Sequence, residues 1–188
     1  MEFRNVGAMN RINDAAHSRS LTDSIMMPQV ISAVRDWTKA DAGGVLIGGA
    51  ALSFHVRPRM TQDLNFLVID EAEMPRQAPG FTHIGPILFR HRETGVEVHV
   101  ATSTAIGVPS QVAEEVAQTA MLSDGVRVAS ESGLVAMKLF RRSRQDEADI
   151  VALIKTGRVD LTRFPLTPDK MSAFRELVEV ATTDPHPP

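Results

Sequence analysis

Gly48-Gly49-Ala50-Ala51-Leu52, followed by Arg59-Met60-Thr61-Gln62-Asp63-Leu64-Asn65-Phe66, decides how this chain is read. The apolar run Val45-Leu46-Ile47 feeds the two glycines and reads as a short buried strand. Ala50 to Val56 reads as a short helix stopped by Pro58, because a proline pushes the residue before it out of the helical region. Asp63 to Ile69 then alternates as a strand. Leu64, Phe66 and Val68 fall on one face, and Asp63, Asn65 and Leu67 on the other.

Upstream, Val30, Ile31, Val34 and Trp37 recur at helical spacing. Pro28 fits only a first turn, so the helix is expected over residues 27–40. Downstream, Ile84–His91 and Val96–Ala101 read as two strands of a hairpin around Glu93-Thr94-Gly95. Gln111 to Leu122 reads as helix and Val126 to Ala129 as strand. Ser130 is a fitting N-cap for a helix running into Leu139 and Phe140. Asp146 to Lys155 is expected as a helix closed by Gly157, and Met171 to Ala181 as a helix opened by Thr167-Pro168-Asp169. Strands and helices mix without regular alternation, which predicts an α+β fold: a small mixed, partly antiparallel sheet flanked by helices. Residues 22–182 are expected to form a single domain. Residues 1–21 are polar and without period, and are expected to be a flexible arm. Residues 183–188 are expected to be a disordered tail.

A hydrophobic content of 43% over 188 residues supports a core of ordinary size. The formal charge of −3 predicts no strong nonspecific attraction to nucleic acid or anionic membrane. With no Cys, disulfides, thiolate metal sites and Cys nucleophiles are excluded, which fits a cytoplasmic location. No apolar run reaches the length of a membrane span, so no membrane partner is expected.

Asp63 and Asn65 stand two apart on one strand face, the spacing at which two oxygen ligands clamp a hard cation such as Mg2+. Glu97 and His99 share a face of the later strand and complete a candidate metal set. The plainer reading of Asp63 is an acid that caps a turn or pairs with Arg59. Gly48-Gly49 lets backbone amides approach a phosphate, though paired glycines in such turns also arise for geometric reasons alone. Arg57 and Arg59 either pair with phosphate oxygens or serve surface solubility. Lys138 sits in an apolar helix and either snorkels to solvent or reaches into a site. Arg141, Arg142 and Arg144 follow it, where cations complement a helix C-terminus. Asp146 and Asp149 lie three apart on one helix face, where acids near an N-terminus are equally ordinary.

In this order the motifs resemble the AbiEii-type branch of the nucleotidyltransferase superfamily, which includes abortive-infection and toxin–antitoxin toxins. The resemblance covers about Gly43 to Ile150 and rests on Gly48-Gly49, then Arg59, Thr61, Asp63, Leu64 and Asn65, then Glu97 or His99, then Lys138, and then Arg144, Asp146 and Asp149. It implies transfer of a nucleotide from an NTP to a hydroxyl on RNA, protein or a small molecule. Asp63 would hold Mg2+, aided by Asn65, Glu97 or His99. Gly48, Gly49 and Thr61 would receive the triphosphate, and Lys138 with Arg59 or Arg144 would neutralise it. Asp146 or Asp149 would act as base or orient Lys138, and an antitoxin-like protein is an implied partner.

The chain departs from the pattern at three positions. Asn65 replaces the second metal-binding acid, His99 stands where the third is aligned, and Ala50 replaces a hydroxyl residue after the glycines. Loss of one metal carboxylate costs on the order of 10³-fold in rate. The degenerate motif therefore implies a transferase of reduced activity or, as the alternative, a catalytically inactive nucleotide- or protein-binding module on the same scaffold.

Overall fold

The structure, a computed structural model, describes residues 27–56 and 61–183. Its centre is a seven-stranded mixed sheet of order β3-β4-β5-β2-β1-β7-β6 with six helices around it, an α+β fold. The strands are β1 (Val45–Ile47), β2 (Asp63–Val68), β3 (Phe81–Gly85), β4 (Leu88–His91), β5 (Glu97–Thr102), β6 (Met121–Ser123) and β7 (Val126–Val128). The helices are α1 (Pro28–Lys39), α2 (Gly48–Leu52), α3 (Ser110–Gln118), α4 (Glu131–Arg141), α5 (Arg144–Ile154) and α6 (Pro168–Thr183).

β2 lies in the middle of the sheet, antiparallel to β1 and parallel to β5. Its register sets Asp63 beside Glu97 and Asn65 beside His99. Side chains alternate, so these four polar residues share one face. Leu64, Phe66, Val98 and Val100 on the other face are fully buried. There Trp37 of α1 stacks on Phe66 at 5.2 Å and meets the edges of Phe81 and Phe89. The Trp37 Nε1–H donates to the Gly43 carbonyl at 3.1 Å, which satisfies the one polar atom of that buried ring.

Several element boundaries differ from the sequence expectation. The stretch 84–91 is not one strand: Phe81–Gly85 pairs antiparallel with Leu88–His91, with an irregular register between His83 and Gly85. The predicted helix through Leu122 stops at Gln118, and Met121–Ser123 turns back on β7 through Asp124 and Gly125. Both turn residues have positive φ, 49° and 81°, as a two-residue hairpin requires. α2 begins at Gly48 and is one turn long, and α5 begins at Arg144. α6 runs to Thr183. The expected arm, nearly all of the expected tail, Arg57 and Arg59 lie outside the described residues. Among the described residues no helix is long and apolar enough to cross a membrane.

Candidate functional site

A cleft of about 310 Å³ opens where β1 ends and β2 begins. Its polar lining comes from Gly48, Gly49, Thr61, Asp63, Asn65, Lys138, Arg141 and Asp146. Its apolar lining comes from Ile47, Ile106, Val108, Leu134 and Met137. Gly48 turns the chain at φ +70°, a region costly for residues with a Cβ. A Cβ there would stand 3.4 Å from the Asn65 amide nitrogen.

On the strand side, Thr61 Oγ1 donates to Asp63 Oδ1 at 3.2 Å and Asn65 Nδ2 donates to Asp63 Oδ2 at 3.0 Å. Where a second acid would repel Asp63, Asn65 instead points its positive amide end at it. Both carboxylate oxygens of Asp63 thus have donors from the chain itself.

On the helix side, Lys138 is buried and its ammonium bonds Asp146 at 3.0 Å and Asp149 at 2.7 Å. Arg141, with a largely exposed side chain, grips Asp146 through two N–H groups at 2.8 and 3.0 Å. Gln145 donates to Asp149 at 2.9 Å. Ser143 caps α5 reciprocally with Asp146: its hydroxyl accepts the Asp146 amide, and the Asp146 carboxylate accepts the Ser143 N–H. Arg142 brings the two helices together. It adopts the left-handed conformation at φ 47°, turns the chain between α4 and α5, and bonds Glu147 and Glu176 at 2.8 Å each. Burial opposes ionisation of Asp146, but the bonds from Arg141, Ser143 and Lys138 outweigh it and hold its carboxyl well below the usual range.

The structure brings Gly48, Gly49, Thr61, Asp63, Asn65, Lys138 and Asp146 to one cleft, with Asp149 behind Lys138. Glu97 and His99 share the sheet face but do not line the cleft. Glu97 is drawn away by Arg90 on β4, its register partner, at 2.8 Å. Arg144 is exposed at the start of α5 and does not reach the cleft. Arg141 holds the cleft position that Arg144 was expected to take. Its only sequence signal was membership of the cationic cluster after Lys138, and the apolar lining residues carried no signal.

Among the described residues no three His, Asp or Glu side chains converge to hold a metal ion. The donor set does not fit a pair of cations: Asp63 faces an amide rather than an acid, and Asp146 is bonded to two cationic side chains. The chain matches no known protein family and no curated protein sequence.

Proposed function

We propose that this chain is a nucleotidyltransferase-like protein whose cleft binds a nucleotide and whose capacity to transfer a nucleotidyl group is suppressed. The observation that carries this reading is the 3.0 Å hydrogen bond from Asn65 Nδ2 to Asp63 Oδ2. Charge developing on a transferring phosphoryl group needs concentrated opposite charge beside it. Asp63 with an amide neighbour is a weak anchor for the divalent ions that supply it. The scaffold part of the reading is supported by the glycine turn against Asn65, the acid-bearing start of β2 and the buried Lys138 in one cleft. Mg2+ belongs to this reading only as a companion of the triphosphate, with Asp63 as its carboxylate ligand.

The test compares the parent chain with Asn65→Asp. Both are incubated with Mg2+, NTPs labelled at the α-phosphate, and RNA or protein acceptors. The parent should label acceptors at background, and Asn65→Asp should raise labelling in a way that Asp63→Ala then abolishes. Strong labelling by the parent would overturn suppression.

The second reading is slow residual transfer to a hydroxyl of RNA or protein. What favours it is that Lys138 and Arg141, both able to neutralise phosphate charge, share the cleft with Asp63. A cytoplasmic location, read from the lack of Cys, and an antitoxin-like partner, implied by the sequence resemblance, accompany either reading.

A further inference from the structure

This inference rests on the nucleotide reading above and narrows its ligand. We infer that the cleft takes a nucleoside monophosphate without a divalent cation, with Arg141 and Lys138 meeting the phosphate and Asp63 the ribose hydroxyls.

Charge carries the first part. Among the described residues four charged side chains line the cleft, and the two carboxylates, Asp63 and Asp146, are balanced by Lys138 and Arg141. Asp149, bonded to Lys138 from behind, adds a further negative charge. A bare triphosphate entering this lining would meet no surplus of positive charge from the described residues. A triphosphate carrying its metal would find one carboxylate whose two oxygens already accept Thr61 and Asn65. A monophosphate asks far less of the lining.

The donors that remain fit that smaller group. A guanidinium has five N–H groups, and Arg141 shows two of them bonded to Asp146. The Arg141 side chain is 70% exposed and lines the cleft, which leaves the rest of its fork accessible to a ligand there. An ammonium has three N–H groups, and Lys138 shows two of them bonded, to Asp146 and Asp149. These groups, aimed from one helix, suit a phosphate with a few oxygens to satisfy.

Asp63 completes the site from the other side. A carboxylate accepts at about four positions, and Thr61 and Asn65 occupy one on each oxygen. Two acceptor positions match the two O–H donors of a ribose diol. The diol adds no positive charge and so does not compete with the Asn65 amide. Ile106, Val108, Leu134 and Met137 supply an apolar wall for a base. The cleft volume of about 310 Å³ lies at the small end of ligand sites, which again favours a monophosphate over a triphosphate.

The test is titration calorimetry of the full chain in chelator with each nucleoside monophosphate, with adenosine, and with inorganic phosphate, followed by Mg·ATP after chelator is removed. At least one monophosphate should bind in chelator, with an affinity that added Mg2+ leaves unchanged. Arg141→Gln should weaken that binding about tenfold or more. Asn65→Asp should weaken it in chelator, because it sets a second negative charge beside Asp63. A circular-dichroism melt of each variant confirms that it is folded. Tighter binding of Mg·ATP than of every monophosphate would overturn this inference and leave the nucleotide reading standing. Inorganic phosphate binding as tightly as the monophosphates would reduce the site to an anion hole and overturn the inference. No binding of any nucleotide by the folded parent would overturn both.

Discussion

At its first residue helix α4 buries Glu131 against His55 and Arg158; at its C-terminal end it sets Lys138 and Arg141 against Asp146 and Asp149. Acid at the N-terminus and base at the C-terminus both suit the helix dipole. Glu131 lies 2.6 Å from Arg158 and 3.2 Å from His55 Nδ1, while His55 Nε2 donates to the Ala129 carbonyl at 2.7 Å. Burial opposes its ionisation, but His55 and Arg158 outweigh that and hold its carboxyl down at about 2. Asp146 at the other end is held low by the same play of burial against cationic donors. The two ends are thus alike in perturbation and differ in access, since the Lys138 end lines the cleft and the Glu131 end does not. A shifted carboxylate is therefore insufficient to mark a site, and access to the cleft is the better sign.

The comparison breaks most sharply at Asp146. Asp146→Ala leaves buried Lys138, Arg141 and the Ser143 N–H without their shared acceptor. Urea unfolding should show a loss of about 3–5 kcal/mol, and nucleotide binding should fall with it. At the other end, Glu131 ionises more readily in the folded chain than in the unfolded one. Its stabilisation is therefore full above the unfolded value of 4.5 and fades as pH falls toward 2. That contribution amounts to about 3 kcal/mol. Urea midpoints measured stepwise across that range should fall less steeply for Glu131→Gln than for the parent, with Asp146 keeping a residual slope in both. Nucleotide binding at neutral pH should not change, and a loss there would erase the distinction between the two ends.

Smaller changes sharpen the contrast. Gly48→Ala places a Cβ at a positive-φ position, with only ordinary contact to Asn65 at 3.4 Å, and should cost about 1–2 kcal/mol. Ser143→Ala removes the hydroxyl that caps α5 and should lower the unfolding free energy by about 1 kcal/mol.

Much of the cleft was legible because its residues obey short-range rules. The glycine turn, the alternation of β2 and the apolar frame around Lys138 place their side chains by local periodicity alone. Glu97 and His99 stand on the expected face, and the β2–β5 register sets them beside Asp63 and Asn65, but they fall outside the cleft lining, which periodicity alone does not define. It is Arg90, supplied by a strand the sequence reading merged with β3, that holds Glu97 aside. Arg141 was passed over because a cation in a last turn has an adequate local explanation, and only the packing of α5 reveals its second use. β6 was lost to the helical pattern running into it, although Asp124-Gly125 is a strong hairpin signal.

The parallel pairing of β2 with β5 spans the whole β3–β4 segment. Such a contact joins distant parts of the chain and is entropically slow to close. By that argument the surface carrying Asp63 is expected to close more slowly than the β3–β4 and β6–β7 hairpins, whose partners are near neighbours in the chain.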